Sequence, residues 1–185
     1  MQSPTVKDIM VPLARYASVP ETATLFEAVV ALEKAQQEFD QTRYRHRAIL
    51  VYDDQKKIVG KISQLTILKS LEPKYNGIKD TPSLSRLGYS RRFMQNMMAQ
   101  YNLWNRPLDD ICKKAATMKV KDFMYTPTEG EYIEEDATLN AGIHQLIIGH
   151  HQSLLVTKNK EIVGVLRVTD VFKEVSNRIK ACGIE

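Results

Sequence analysis

The apolar positions of this chain change period several times, and the order of the changes occurs twice. In the first half, Leu25, Val29 and Leu32 recur at helical intervals. Thr24 and Glu27 stand at capping-box spacing in front of them, which predicts a helix starting at Leu25. Two bounded β-branched runs follow, Ala48–Tyr52 and 57–62, joined by a polar turn, and they predict a hairpin. A closing helix is expected over about 63–71. A capped turn (Thr5–Met10) and a brief extended stretch (Ala17–Val19) come before the first helix. The second half repeats this order. A turn at Lys119–Met124 and an extended Tyr132–Ile133 lead to Leu139, Ile143, Leu146 and Ile147 at helical spacing. Strands at Ser153–Thr157 and Glu161–Leu166 and a helix over about 168–179 follow. Each half reads strand, helix, strand, strand, helix, so the expected class is α/β (α+β) built from two βαββα units.

The identities agree with the pattern. Val6-Lys7-Asp8-Ile9-Met10 returns as Val120-Lys121-Asp122-Phe123-Met124, Ala23-Thr24-Leu25 as Ala137-Thr138-Leu139, and Ile58-Val59-Gly60 as Ile162-Val163-Gly164. A duplicated unit means one fold built twice in a single polypeptide. Two copies can face each other about a pseudo-twofold axis and leave two related clefts, which favours a binding module over a single-site enzyme. The offset between copies is 114 residues at Met10 and at Leu25 but 104 at Gly60. The first copy therefore carries ten additional residues, placed mostly in Glu33–Arg47 as a longer helix or a helix followed by a basic loop.

The copies account for residues 1–72 and 119–185, with a helical insertion at 73–118. Pro73, Gly77, Pro82 and Gly88 predict an irregular start to the insertion. Phe93, Met94, Met97, Met98 and Tyr101 share one face of a helix expected over about 90–104, and a further helix is expected over 108–116. The methionine stripe suits a core or a dimer interface, or more sharply a groove for a partner.

Composition adds bounds. The chain has 185 residues, 43% hydrophobic and 26% charged, as in ordinary globular proteins. No apolar run approaches a membrane span and no signal-peptide pattern opens the chain. Cys112 and Cys182 are distant and lack a CxxC partner, which fits reduced thiols and a cytoplasmic setting. A net charge of +4 favours anionic partners without naming nucleic acid, and no helix-turn-helix or run of stacking aromatics supports that partner. No Walker loop, GxGxxG, nucleophile elbow or HExxH occurs, so no enzyme is expected. His150, His151 and His144 lack Cys or carboxylate neighbours at ligand spacing, and no metal site is expected. The basic run Arg43, Arg45, His46, Arg47 reads as a solvated face, or alternatively as the phosphate end of a cleft.

Each copy resembles a CBS domain, and the whole resembles a tandem CBS pair, or Bateman module. The resemblance rests on the opening Val-Lys-Asp-hydrophobic-Met, the helix after Ala-Thr-Leu, and the strand-to-helix turns Gly60–Ile67 and Gly164–Val171, over roughly 5–72 and 119–178. It implies a regulatory module that binds an adenine nucleotide (AMP, ADP or ATP, with or without Mg²⁺), no covalent cofactor, a homodimer, and an unidentified regulated protein. In the family a hydroxyl residue of the turn meets phosphate, an aspartate three residues on meets the ribose, and adenine lies against strand residues near the start of the same copy. A helix N-terminus is a physical site for phosphate. This chain divides the polar pair: Ser63 is followed by Thr66, whereas Asp170 is preceded by Arg167. The resemblance therefore implies ligand contacts from Asp170, Arg167 and Thr169 with Met124, Tyr125, Thr126 and Ile133 in the second copy. In the first copy it implies Ser63 and Thr66 with Met10 and Pro12. The second cleft is favoured because it keeps the carboxylate, and one filled site or two remain open. Ser63 as a plain N-cap and Asp170 as a plain first-turn acid are the simpler readings. The alternative function is a ligand-free scaffold for dimerisation or docking through the central segment.

Overall fold

A computed structural model describes residues 4–38, 47–72, 74, 91–102 and 110–182. Two sheets carry the architecture. In the first, β2 (Ser18–Pro20), β3 (Ala48–Tyr52) and β4 (Ile58–Ser63) lie in the order β2-β3-β4. In the second, β1 (Val11–Pro12), β7 (Glu161–Arg167), β6 (Ser153–Lys158) and β5 (Tyr132–Glu134) lie in the order β1-β7-β6-β5. In each repeat the leading short strand runs parallel to the next one, across a helix, and the last two strands form an antiparallel hairpin. The crossover helices are α2 (Leu25–Glu38) and α6 (Leu139–Ile148), and the closing helices are α3 (Gln64–Leu71) and α7 (Val168–Ala181). Thus the fold is the α/β tandem expected from the pattern.

The start of α2 is set by the predicted box: Thr24 N–H donates to Glu27 Oε2 at 2.6 Å, and Glu27 N–H donates to Thr24 Oγ1 at 3.2 Å. α2 has 14 residues against 10 in α6, so part of the extra length of the first copy is helix. Arg43, Arg45 and His46 of the basic run lie outside the described residues, and Arg47 is exposed.

Ile49, Val51 and Ile62 face a first core with Leu32 and Ala28, and Leu154, Val156 and Leu166 face a second core with Leu139 and Leu146. The opposite face of β3 and of β6 is also covered, since Leu50 and Leu155 join Val11, Tyr16 and Val165 in a third cluster between the sheets. Burial on both faces explains why these strands read as continuous apolar runs rather than as alternating ones.

The turn that opens each repeat does not stay with its own sheet. Val6, in helix α1 (Val6–Ile9), is fully buried in the second core, and Val120, in a 3-10 turn, is fully buried in the first. Backbone bonds fix the exchange symmetrically. Val6 N–H donates to Ala137 O at 2.9 Å and Leu139 N–H to Pro4 O at 2.9 Å. Val120 N–H donates to Ala23 O at 2.8 Å and Leu25 N–H to Met118 O at 2.9 Å. The doubled Val-Lys-Asp phrase is therefore a pair of clamps, each seating a valine in the other repeat, where full burial of a valine contributes roughly 1.5–3 kcal/mol. Glycine permits the contact. A Cβ at Gly164 would lie 2.7 Å from Val11 O and 2.7 Å from Met10 Sδ, and one at Gly60 would lie 2.5 Å from Met124 Sδ.

Between the repeats, α4 (Arg91–Tyr101) and α5 (Ile111–Thr117) lie where helices were expected. Phe93, Met98 and Tyr101 are exposed in the single chain rather than core, and the side chain of Met94 lies outside the described residues. Lys114 Nζ donates to Leu71 O at 2.6 Å and Lys74 Nζ to Asn102 O at 2.8 Å, so this segment ties to the C-terminal end of α3. Among the described residues no helix is long and apolar enough to cross a membrane.

Candidate functional site

Because the opening turns cross over, each strand-to-helix turn meets the start of the other repeat. This corrects the expectation that the opening residues of each copy flank the turn of the same copy. Tyr125 N–H donates to Lys61 O at 2.9 Å and Lys61 N–H returns to Tyr125 O at 2.9 Å, which brings Met124 and Tyr125 to the turn holding Ser63 and Thr66. Likewise β1 pairs with β7 in the register Val11↔Val165 and Pro12↔Gly164, which carries Met10 and Pro12 to the turn of Arg167 and Asp170. The physical reason is the clamp: once Val6 and Val120 are seated across, the residues after them can reach only the opposite turn.

The first turn opens onto a cleft of about 470 Å³ lined by Lys61, Ser63, Leu65, Thr66, Lys69, Ser70 and the stretch Asp122–Tyr125. That volume is in the range of small-molecule sites. At its helical end, Ser63 Oγ accepts from Thr66 N–H at 3.0 Å, and Ser63 N–H donates to Thr66 Oγ1 at 3.3 Å. This reciprocal cap starts α3 and uses part of the hydrogen-bonding capacity of both hydroxyls. The α3 N-terminus keeps its positive dipole end and Lys69 adds cationic charge to the cleft, while Lys61 is paired with the buried Glu131 carboxylate and Asp122 adds an acid to the lining. Phe123, Met124 and Tyr125 supply an aromatic and thioether wall, with the Lys61 ammonium 5.2 Å from the centroid of the Tyr125 ring.

Sequence reasoning missed the group that organises this wall. Glu131 is 2% exposed, pairs with the Lys61 ammonium, accepts from Tyr125 Oη at 2.5 Å and accepts from Thr128 N–H at 3.1 Å. Burial raises the Glu131 pKa, but the donors Lys61, Tyr125 and Thr128 outweigh it, so the carboxylate titrates below its usual range. The same hydrogen bond to Glu131, with burial and its negative charge, raises the Tyr125 pKa. The signal for Glu131 was present as the capping-box spacing Thr128-x-x-Glu131, realised around the 3-10 turn Glu129–Glu131.

The second turn is different. Arg167 Nε donates to Asp170 Oδ2 at 2.5 Å and a terminal nitrogen of Arg167 donates to Asp170 Oδ1 at 2.8 Å, a two-pronged pair. Both residues are buried, 5% and 4% exposed. Tyr16 lies beside the pair, its hydroxyl pushed up to about 12 by burial, with opposing smaller influences from Arg167 and Asp170. Thr169 is half-buried in the first turn of α7, Thr126 is exposed, and Ile133 packs in the second core with Val6 and Leu139 rather than in either cleft. A cleft thus opens at the turn with the hydroxyl pair, whereas at the turn with the carboxylate Arg167 and Asp170 face each other. His150 and His151 close α6 through backbone bonds to Ile147 O at 3.2 Å and Leu146 O at 3.0 Å.

Comparison with known proteins agrees with this geometry. Residues 6–73 match the family model described as CBS domain. A curated-protein search finds no matching relative. Among solved structures, a CBS domain-containing protein of unknown function from Bacillus anthracis is similar over 96% of each chain, with 20% identity and a TM-score of 0.61. CBSX2 from Arabidopsis thaliana, a CBS-pair protein, is similar over 97% of this chain and 99% of its own, at 16% identity and a TM-score of 0.61. A structure of CBSX2 in complex with AMP is similar over 95% of this chain and 98% of its own, at 17% identity and a TM-score of 0.57.

Proposed function

Starting from a chain that is a CBS domain-containing protein with the CBS-pair fold, we propose that it is a regulatory module without catalytic activity, binding an adenine nucleotide (AMP, ADP or ATP) in the cleft at Ser63 and Thr66. One observation carries the reading: an open volume of about 470 Å³ whose lining combines the start of α3 and Lys69 with Phe123, Met124 and Tyr125. A nucleotide has that same division, anionic phosphate joined to a flat apolar base. The AMP complex of the structurally similar CBSX2 supports the choice of ligand. Thr66 stands where the family places the ribose-binding aspartate, so phosphate and base contacts rather than ribose contacts dominate affinity here.

The route out of the site is α3. Its first turn lines the cleft, and its last carbonyl, Leu71 O, accepts from Lys114 of α5. A ligand that binds one position of α3 better than another shifts the central helices by that difference in affinity. Exposed apolar side chains on α2 and α3 (Phe26, Leu65, Leu68) and on α6 and α7 (Ile147, Ile148, Phe172) support a homodimer through these faces. The test is calorimetric titration with AMP, ADP and ATP, first of the unaltered chain and then of Lys69→Ala. Binding that weakens about tenfold with the substitution, roughly 1.4 kcal/mol, fits the site. Unchanged affinity moves the ligand elsewhere. A second reading, a ligand-free scaffold, is favoured by the exposed Phe93, Met98 and Tyr101 of α4, and it gains if millimolar nucleotide gives no heat while Met98→Glu abolishes self-association.

A further inference from the structure

The geometry points to a second cleft that is closed from within: Arg167 occupies the ligand-binding capacity of Asp170, so the chain takes nucleotide at the first turn alone. Four observations converge. Arg167 is the N-cap of α7 and Asp170 lies three residues on, so the guanidinium folds back over the first turn of that helix. This is the place where the helix end would otherwise attract an anion. Both carboxylate oxygens of Asp170 are engaged by the two-pronged contact, at 2.5 and 2.8 Å. Neither partner is open to solvent, at 5% and 4% exposure. Finally, Tyr16, Val11 and Val165 pack into one buried cluster beside the pair, whereas the equivalent positions of the first cleft include Lys61 and Tyr125 on its walls.

The two turns therefore solve one problem in opposite ways. At the first, Ser63 and Thr66 cap each other with short neutral groups and leave space in front of α3. At the second, a long cation is brought in, and it is tolerated at a helix N-terminus because Asp170 neutralises it. A ribose seeking Asp170 must displace a buried, two-pronged, oppositely charged partner, which a neutral diol cannot match. Arg167 is accordingly the residue that sets ligand stoichiometry, and replacing it with the hydroxyl found at position 63 reopens the cleft.

This inference rests on the proposed nucleotide site for its ligand, but its test separates the two. The unaltered chain is titrated with AMP for stoichiometry and followed by hydrogen exchange, and Arg167→Ser is treated in the same way. If the Ser variant is not folded, Arg167→Gln, whose neutral amide cannot make the two-pronged ionic contact and which leaves Asp170 unaltered, takes its place. The expected result is one AMP per unaltered chain, with protection at 61–66 and 122–125 and none at 167–170, and a second AMP in the variant with protection at 167–170. If the unaltered chain binds none and the variant binds one, the closed cleft stands and the reading of the first cleft falls. AMP-dependent protection of 167–170 in the unaltered chain, or a folded variant with no new site, overturns the inference.

Discussion

Replacing either hairpin glycine by alanine tests the crossed clamp, because the two positions are equivalent in sequence but not in what a methyl group would strike. At Gly164 the added carbon meets Val11 O and Met10 Sδ, each at 2.7 Å. Val11 O belongs to β1, and β1 is paired with β7 at that point, so relief requires the strand to move. At Gly60 the added carbon meets Met124 Sδ at 2.5 Å and Cγ at 3.1 Å, with Tyr125 O at 3.3 Å. Here the nearest obstruction is the end of a flexible side chain, which can turn aside. Overpacking of a tight site costs about 1–3 kcal/mol. Gly164→Ala should fall near the top of that range and Gly60→Ala near the bottom. For a chain of this size 1 kcal/mol shifts Tm by about 2–4 °C, so the expected losses are roughly 6–12 °C and 2–4 °C. The double-substitution cycle adds a sharper condition. Met124→Ala should offset much of the Gly60→Ala loss, whereas Met10→Ala should offset little of the Gly164→Ala loss because the backbone oxygen remains. Thermal melts of the unaltered chain and the six variants measure this. Equal small losses at both glycines, with no coupling to Met124, would refute the crossed arrangement.

Other expectations follow from the buried charges and exposed faces. Because the Glu131 pKa is depressed in the folded chain, its contribution is present above the normal glutamate pKa and is lost as pH falls. Glu131→Gln should cost about 1.5–3 kcal/mol at neutral pH and flatten the acid limb of a urea-unfolding series. Tyr16 behaves in the opposite sense: with its hydroxyl raised to about 12, stability holds below about pH 10 and drops toward pH 12, by up to about 3 kcal/mol. Tyr16→Phe should remove that alkaline loss, and an unchanged alkaline limb would count against its burial. Phe172→Glu places a charge on the apolar face of α6 and α7, and sedimentation should show dimer converted to monomer without loss of helical circular dichroism.

The repeats, the element order and the hairpins were legible because the signals are local. Thr24 and Glu27 cap a helix whichever sheet it covers, and two-sided burial leaves a continuous apolar run. The exchange of the opening turns was not legible for a reason of symmetry. Val6 and Val120 sit in near-identical phrases, and their docking sites beside Ala137 and Ala23 are near-identical too. Local chemistry therefore cannot say which clamp enters which core. The polar residues of the turns were seen but their partners were not. Arg167 either faces a ligand or reaches a nearby carboxylate on the sequence alone, and i,i+3 spacing at a helix start makes Asp170 that carboxylate. Glu131 went unnoticed because its partner Lys61 is 70 residues away in sequence and is brought near only by the crossing.

The most direct test of the nucleotide-sensor account is a crystal of the full chain grown with AMP. The account predicts density for the phosphate near Ser63 and Lys69, and for the base beside Phe123, Met124 and Tyr125. Full occupancy of the ligand at Arg167 and Asp170 with the first cleft empty, or no bound nucleotide at all at millimolar AMP, would contradict it.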